Sequence, residues 1–343
     1  MQKVLVTGGT GFIGSHTAVE LLHKGYEVLI VDNLSNSRIE VLDGIEKITG
    51  KRPGFENFDL CDLSKLQLFC KANPGIDAII HFAALKAVGE SVEKPLEYYG
   101  NNIISLLNIL QVMREYTIPS LVFSSSCTVY GEPDSLPVTE HSSVKPASSP
   151  YGNTKQIAEE IIRDTIAAIS GLKAISLRYF NPIGAHTTAL IGELPLGTPQ
   201  NLVPYITQTV IGIREELRVF GSDYDTPDGT GIRDYINVVD LAKAHVIAIA
   251  RLLNGTNKHS YEVYNLGTGK GLSVMDVVRA FEKATGRKVN FRIYPRRPGD
   301  ISAVYADTTL ANNELGWKAE ASIEATLLSA WNWEKAIRNH SNQ

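Results

Sequence analysis

The strongest constraint on this chain is a glycine-spaced turn near its N-terminus. Val4, Leu5 and Val6 form an apolar run leading into Thr7-Gly8-Gly9-Thr10-Gly11-Phe12-Ile13-Gly14, with glycines at 8, 11 and 14. Behind it, Ile13, Ala18, Leu21 and Leu22 recur with helical spacing until Gly25. A strand, a glycine turn and a helix in this order build a cradle for a dinucleotide. Glycine permits the tight turn and the approach of backbone to a pyrophosphate, and Gly14 allows close helix–sheet packing. The N–H groups opening the helix then attract the anion. The glycines alone also fit a plain helix-capping turn. The next apolar run, however, starts at Glu27 and closes in Asp32, 32 − 14 = 18 residues past the last glycine. A carboxylate there accepts from a ribose diol and repels a 2′-phosphate, favouring NAD over NADP.

The alternation continues. Apolar runs at 55–60, 78–80, 121–123 and 174–177 are interleaved with helix-like segments at 38–48, 62–72, 97–115 and 152–169. Continuous apolar strands separated by helices mean a parallel sheet covered on both faces. The expected class is α/β, a Rossmann-like doubly wound sheet with ligands beyond the carboxyl ends of the strands. The second half is less regular. Pro182, Pro195, Pro199 and Pro204 punctuate it, and 221–231 is rich in turn residues. A helix over about 239–253 and a strand at Val263-Tyr264 are expected to rejoin the first sheet. Ser273 to Asp276 reads as a capping box with Asp in place of Glu, opening a helix to about Thr285. At ~150 residues per domain, 343 residues suit two. The expected division is a nucleotide-binding domain of residues 1–181 plus about 237–267, and a smaller discontinuous cap of 182–236 plus 268–343.

Composition excludes several classes. With 33 Lys and Arg against 37 Asp and Glu, the net charge of −4 argues against a nucleic-acid partner. A hydrophobic content of 43% excludes disorder. Cys61, Cys70 and Cys127 are odd in number and lack metal-ligand spacing, so neither a disulfide scaffold nor a metal site is expected, and a reduced, cytoplasmic setting fits. The most apolar stretch, 244–253, is broken by Arg251 and falls short of the ~20 residues that span a bilayer. No secretory leader is read at the N-terminus, and no membrane partner is expected.

Tyr151 and Lys155 stand at i and i+4, on one helical face. A phenol titrates near ~10. An ammonium ~4 Å away at an effective dielectric of ~20 contributes roughly 4 kcal/mol, about three pKa units, enough to make a base of it. With 14 Tyr in the chain, chance supplies such a pair readily, so the spacing alone says little. Position adds the weight. Ser124-Ser125-Ser126 follows an apolar strand directly, and Tyr151 opens the next helix. A hydroxyl, a phenol and an ammonium are thus expected to converge beside the dinucleotide as the catalytic set Ser126, Tyr151 and Lys155.

At these residues the chain resembles the extended short-chain dehydrogenase/reductases. Further blocks resemble the branch of that family that epimerises UDP-sugars at C4: Phe82-Ala83-Ala84-Leu85-Lys86-Ala87-Val88-Gly89-Glu90-Ser91, Ser124 to Gly131, Leu177-Arg178-Tyr179-Phe180-Asn181-Pro182, Asn201-Leu202-Val203-Pro204-Tyr205, Asp228 to Tyr235, and Arg296-Arg297-Pro298-Gly299-Asp300. The likeness runs from about Lys3 to Trp333. It implies tightly bound NAD, a UDP-sugar substrate, interconversion of UDP-glucose and UDP-galactose through a 4-keto sugar, and a homodimer built on the helices near 97–115 and 152–169. It implies that Gly8, Gly11, Phe12, Ile13 and Gly14 carry the pyrophosphate, that Asp32, Asn33 and Asn36 hold the adenosine ribose region, and that Asp59 and Leu60 meet the adenine. Phe82, Lys86, Asn101 and Phe180 would border the cofactor beside the catalytic three. Arg233 and Arg297 would grip the diphosphate, Asp300 the uridine ribose, and Asn181 and Asn201 the sugar and phosphate. Leu202, Phe220 and Val304, with Lys86, Ser126 and Tyr151, would complete the substrate contacts.

One neighbouring reading is disfavoured and two remain at this point. Related 4,6-dehydratases and decarboxylases place an acid just after the Ser or Thr, where this chain has Cys127 and Thr128. A pentose-specific UDP-sugar epimerase would share every motif. A non-catalytic dinucleotide sensor would keep the glycine turn but not need the Tyr/Lys pair. Val304, smaller than the aromatic common at its place in the family, leaves N-acetylhexosamine nucleotides open as substrates.

Overall fold

A computed structural model describes residues 1–297 and 300–341, so Pro298 and Gly299 of the Arg-Pro-Gly-Asp block lie outside the described residues. The chain begins with β1 (Lys3–Thr7), α1 (Phe12–His23), β2 (Glu27–Asp32), α2 (Val41–Thr49), β3 (Gly54–Asn57), α3 (Leu63–Ala72) and β4 (Ala78–His81). It continues through α4 (Val88–Glu93), α5 (Pro95–Glu115), β5 (Ser120–Ser126), α6 (Pro150–Ala168), β6 (Lys173–Tyr179), β7 (Asn181–Ile183), α7 (Leu202–Val210) and β8 (Leu217–Phe220). The remainder is β9 (Ile232–Arg233), β10 (Tyr235–Asn237), α8 (Val238–Leu253), β11 (Tyr261–Leu266), β12 (Leu272–Ser273), α9 (Val274–Thr285), β13 (Phe291–Tyr294), β14 (Ala303–Val304) and α10 (Ile323–Ser341).

Seven strands form one parallel sheet in the order β11-β6-β5-β4-β1-β2-β3. Alternation along each strand sends side chains to opposite faces. Val4, Val6, Val28, Ile30 and Ile80 join the core under α1 and α8. Leu5, Val31, Ile79 and Leu121 join the one under α3, α5 and α6. Two covered faces explain why these strands read as unbroken apolar runs. The expected strand at Val263-Tyr264 is the edge strand β11, with Tyr264 opposite Leu177. A third core packs Val203, Ile206, Val277, Phe281, Leu327 and Trp331 among α7, α9 and α10. Ser273 and Asp276 form the expected capping box at the start of α9, each side chain taking the other's backbone N–H. The third strand is shorter than read, ending at Asn57; Phe58 and Leu60 instead turn into the core. Among the described residues no helix is long and apolar enough to cross a membrane.

Candidate active site

The chain order reverses between β1 and β4, which opens a crevice where loops leave in opposite directions. The glycine turn lines one side. Gly8 adopts a φ of 69°, and a Cβ there would stand 2.8 Å from the Ala83 nitrogen beyond β4. A Cβ on Gly14 would stand 2.3 Å from the Gly8 carbonyl oxygen. The spacing is therefore a requirement of close packing. Gly11 is the N-cap of α1 with no side-chain capping bond, so the first N–H groups of the helix at Phe12 and Ile13 remain aimed outward for an anion. Asp32 closes β2 and accepts from Thr10 N at 3.2 Å, Leu34 N at 2.9 Å and Ser37 Oγ at 3.2 Å. A carboxylate has about four acceptor sites, so one is left for a ribose hydroxyl. Asn33 Nδ2 donates to Asp59 Oδ2 at 3.3 Å, joining the ends of β2 and β3, and Asn36 lies exposed beside them. This donor and acceptor set fits a dinucleotide. Leu60 differs from expectation in one respect: its side chain belongs to the core, leaving only backbone to face an adenine.

Opposite the turn, Phe82 packs on His245, ring centroids 4.7 Å apart. Asn102 of α5 holds the loop carrying Phe82 and Lys86. It accepts from Leu85 N at 2.8 Å, donates to Leu85 O at 3.0 Å and reaches Thr154 of α6 at 3.1 Å. Asn101 donates to the same Asn102 side chain at 3.0 Å.

Local sequence sets the catalytic trio. Ser149 caps α6 by accepting from Gly152 N at 3.2 Å, and Pro150 fills the first helical position, as its missing N–H favours. Tyr151 and Lys155 then project from the first two turns. Ser126 ends β5, its hydroxyl accepts from Thr128 N at 3.2 Å, and it stands near enough to the Tyr151 phenol to favour its ionised form. Lys155 Nζ lies 5.9 Å from the Tyr151 ring centroid and donates to the Ser124 carbonyl at 2.7 Å.

The charges differ from the simple expectation. Burial pushes the Tyr151 phenol up to about 12, with the Ser126 hydrogen bond pulling the other way. Burial also pushes Lys155 down to about 7, opposed by the Glu159 carboxylate. The expected lowering of Tyr151 by Lys155 is not seen: burial dominates the phenol, and Lys155, only 4% exposed, is itself lowered and is not among the groups acting on Tyr151. Cys127, next to the site, is pushed up to about 12 by burial and is a neutral thiol at physiological pH. The hydroxyl of Thr128 is buried without a partner among the described residues.

The remaining predicted residues form two groups. Arg297 Nε pairs with Asp300 Oδ2 at 3.0 Å, and its guanidinium sits 4.9 Å from the Phe220 ring centroid. Arg233 donates to the Ile232 carbonyl at 2.8 Å and stands in register with Val304. Val304 is buried in a small cluster with Phe180, Val129 and Ala306. Asn181 pairs across β7 and β10 with Tyr235. Leu202 packs on the third core. Lys86 and Asn201 meet at Glu193.

Sequence reading missed several residues here. Glu159, at i+4 from Lys155, has a legible spacing; its buried partner Arg178 does not. Tyr224 was also unforeseen. Its ring lies 4.1 Å from the Arg296 guanidinium, and its buried hydroxyl has no partner among the described residues. Glu193 carries no local signal at all.

A glycine cradle, an acidic β2 terminus and a Ser, Tyr and Lys set on this sheet define an extended short-chain dehydrogenase/reductase. The family model described as GDP-mannose 4,6 dehydratase matches residues 5–329. The UDP-glucose 4-epimerase of Haemophilus influenzae is 51% identical over 334 residues, covering 97% of this chain and 98% of that one. The chain belongs to this extended family and, within it, to the UDP-glucose 4-epimerase family. The crystal structure of the Stenotrophomonas maltophila UDP-glucose 4-epimerase, with bound NAD and formylated UDP-arabinopyranose, superposes with a TM-score of 0.95 at 47% identity, covering 99% of this chain and 100% of that one. The Bifidobacterium longum enzyme, in complex with NAD⁺ and UDP, gives a TM-score of 0.94 at 50% identity, covering 98% and 99%.

Proposed function

We infer that this protein is an NAD-dependent UDP-glucose 4-epimerase, interconverting UDP-glucose and UDP-galactose through a transient 4-keto sugar. The observation that carries the reading is the meeting of Ser126, Tyr151 and Lys155 at the carboxyl end of β5, followed by Cys127 and Thr128 instead of an acid. A dehydratase needs a carboxyl group there for its second proton transfer; an epimerase does not. A sensor without chemistry has no use for a buried lysine beside a phenol.

NAD would be held by backbone at Gly8, Gly11, Phe12, Ile13 and Gly14, by Asp32, Asn33 and Asn36 at the ribose, by Asp59 and the Leu60 backbone at the adenine, and by Phe82, Lys86, Asn101 and Phe180 along its length. Bound there, NAD supplies the acceptor and then the donor of the C4 hydride, together with a positive charge. Tyr151 takes the proton of the sugar 4-OH, while Ser126 hydrogen-bonds the same oxygen. Lys155 holds the nicotinamide ribose and adds positive charge beside the phenol. Burial raises the phenol, and positive charge beside it would oppose that effect. Arg233 and Arg297 grip the diphosphate, since guanidinium matches phosphate oxygens bidentately. Asp300 takes the uridine ribose, with Phe220 and Leu202 beside it, and Asn181 and Asn201 orient the sugar and phosphate. Firm anchoring of UDP with sparse contacts to the sugar lets the keto sugar turn over before it is reduced on its other face.

The division into an NAD-binding part of 1–181 plus about 237–267 and a UDP-sugar cap of 182–236 plus 268–343 follows from these roles. A homodimer through α5 and α6 is supported by Ile104 and Leu107, 45% and 46% exposed on α5. A cytoplasmic setting is supported by three unpaired cysteines. The small Val304 supports additional turnover of UDP-GlcNAc and UDP-GalNAc. A pentose nucleotide substrate is the alternative within the same chemistry. Mass spectrometry of the purified protein for NAD(H), coupled to an assay of UDP-galactose conversion, tests the main reading. Bound NAD with conversion to UDP-glucose is expected; NAD without conversion refutes it. No turnover of UDP-GlcNAc beside active UDP-glucose removes the Val304 extension.

A further inference from the structure

The segment between β7 and α7 is pinned to α10. Ala185 and Gly192 form an antiparallel bridge, and His186 N donates to Ile191 O at 3.1 Å. Gly192 lies flat on Trp333, where a Cβ would stand 2.5 Å from the indole Cγ. The same indole donates through Nε1 to the Glu193 carbonyl at 2.8 Å. The backbone at Glu193 is therefore fixed, and its side chain is only 11% exposed. One carboxylate oxygen, Oε1, accepts from Asn201 Nδ2 at 2.6 Å and faces Lys86 Nζ at 3.5 Å. Lys86 arrives from the loop after β4, and Asn201 is the N-cap of α7.

We propose that Glu193 is a positioning residue for the diphosphate-binding side of the site, holding Lys86 and Asn201 as one unit. The inference rests on the UDP-sugar reading of that site. A carboxamide has two N–H groups; tying one to Glu193 orients the other and the carbonyl towards a ligand. An ammonium has three, and its stem carries rotamer freedom that is otherwise lost on binding. A carboxylate that holds both in advance reduces the ordering cost when a phosphate arrives. Lys86 on the sheet side and Asn201 on the opposite side then move together, which couples the two walls of the crevice.

The test uses NAD-loaded protein, with UDP affinity by titration calorimetry and kcat and KM for UDP-galactose. Glu193→Ala removes both contacts. Glu193→Gln keeps an acceptor for Asn201 and loses the charge facing Lys86. The Ala variant is expected to raise both the UDP Kd and KM about tenfold, with kcat down less than about threefold. The Gln variant should fall between it and the parent. Lys86→Ala should weaken UDP binding less in the Gln background than in the parent, as groups acting as a unit do. UDP Kd and KM within about twofold of the parent in both variants overturn the proposal, as does a fall in kcat with KM unchanged. Should the Ala variant not fold, the Gln variant and its Lys86→Ala cycle decide alone. The UDP titration reads Glu193 even in a parent without turnover, so failure of the epimerase reading and failure of this one are separate results.

Discussion

At the end of the sheet, Lys155, Glu159 and Arg178 are buried charges; around β8, β9 and β14, Arg297 has a side chain 49% exposed and Asp300 one 27% exposed. Both regions pair opposite charges, yet the pairs serve different ends. Arg178 reaches both Glu159 oxygens, at 2.9 Å and 2.5 Å, and the Tyr130 hydroxyl at 3.0 Å, while Ser125 donates to Glu159 at 2.5 Å. Among the described residues, Glu159 and Arg178 spend their charges on each other and on neutral hydroxyls, while Lys155 gives one N–H to the Ser124 carbonyl and has two more for a ligand. Arg297 rests on Asp300 and Phe220 at the surface and can exchange partners at little cost. Groups that perform chemistry are built in and desolvated. Groups that hold a diphosphate are kept wet and provisionally paired.

The comparison breaks first at Tyr151. Tyr151→Phe removes the phenol assigned as the base, and kcat is expected to fall by about 10²–10⁴ with NAD content intact. Near-parental turnover would show that burial here serves packing. The companion test concerns Lys155, whose folded value of about 7 lies below its ordinary 10.5. Between those values the unfolded chain holds the proton that the folded chain has lost, so stability contributed through this group rises with pH across the window. Urea midpoints of protein stripped of NAD should rise less steeply between pH 7 and 10 in Lys155→Met than in the parent. Parallel slopes would mean that Lys155 is not desolvated.

Arg178→Met is the next largest expected effect. It leaves Glu159 charged, buried and short of its main partner, and such losses cost about 3–5 kcal/mol. Adding Glu159→Leu should recover much of that, because an apolar pair of similar volume is often as stable as a buried ion pair. Denaturation midpoints of the two variants check both statements. A loss under ~1 kcal/mol for the single variant would place this pair with the exposed ones.

Much of the sheet region was legible because its constraints are local. Val4 to Val6, Glu27 to Asp32 and Ala78 to Ile80 read as strands since both faces are covered. Gly8 and Gly14 read as a cradle since any Cβ there would collide with backbone. Ser126, Tyr151 and Lys155 each sit at the end of an element with its own signal. What was not legible depends on distant contacts. Lys155 looks like an ordinary helical lysine until it is buried against Phe123 and the Ser124 carbonyl of β5, so its shifted charge had no sequence signature. Glu159 and Arg178 lie on different elements, and Lys86 meets Glu193 only across the crevice. The family likeness placed Leu60 beside the adenine, and that its side chain turns into the core while its backbone stays outside depends on packing that no local pattern carries.

Arg297→Ala should separate binding from stability. Loss of a charge-assisted contact to phosphate, worth about 1.5–3 kcal/mol, raises KM for the UDP-sugar roughly ten- to a hundredfold. Loss of the exposed pair with Asp300 lowers stability by less than about 1 kcal/mol. Steady-state kinetics and a thermal melt on one preparation give both numbers. A large drop in melting temperature with KM unchanged would reverse the assignment of this region.

The smallest expected effect completes the scale. Arg292 Nε of β13 stands 3.2 Å from Glu216 Oε2, with side chains 69% and 15% exposed, away from both the glycine turn and the catalytic trio. It ties β13 to the residue just before β8, as Arg178 ties β6 to α6, but with its guanidinium in solvent. In water the Coulomb gain is small, and holding a long side chain in one rotamer offsets it. Arg292→Ala should therefore cost less than about 1 kcal/mol in the parent, and this cost should shrink further in ~1 M salt, where the screening length is ~3 Å. The Arg178→Met loss should be nearly insensitive to the same salt, because ions do not enter the space between buried partners. Equal salt responses of the two variants would mean that burial is not what distinguishes them, and the contrast between built-in and provisional charge pairs would fail.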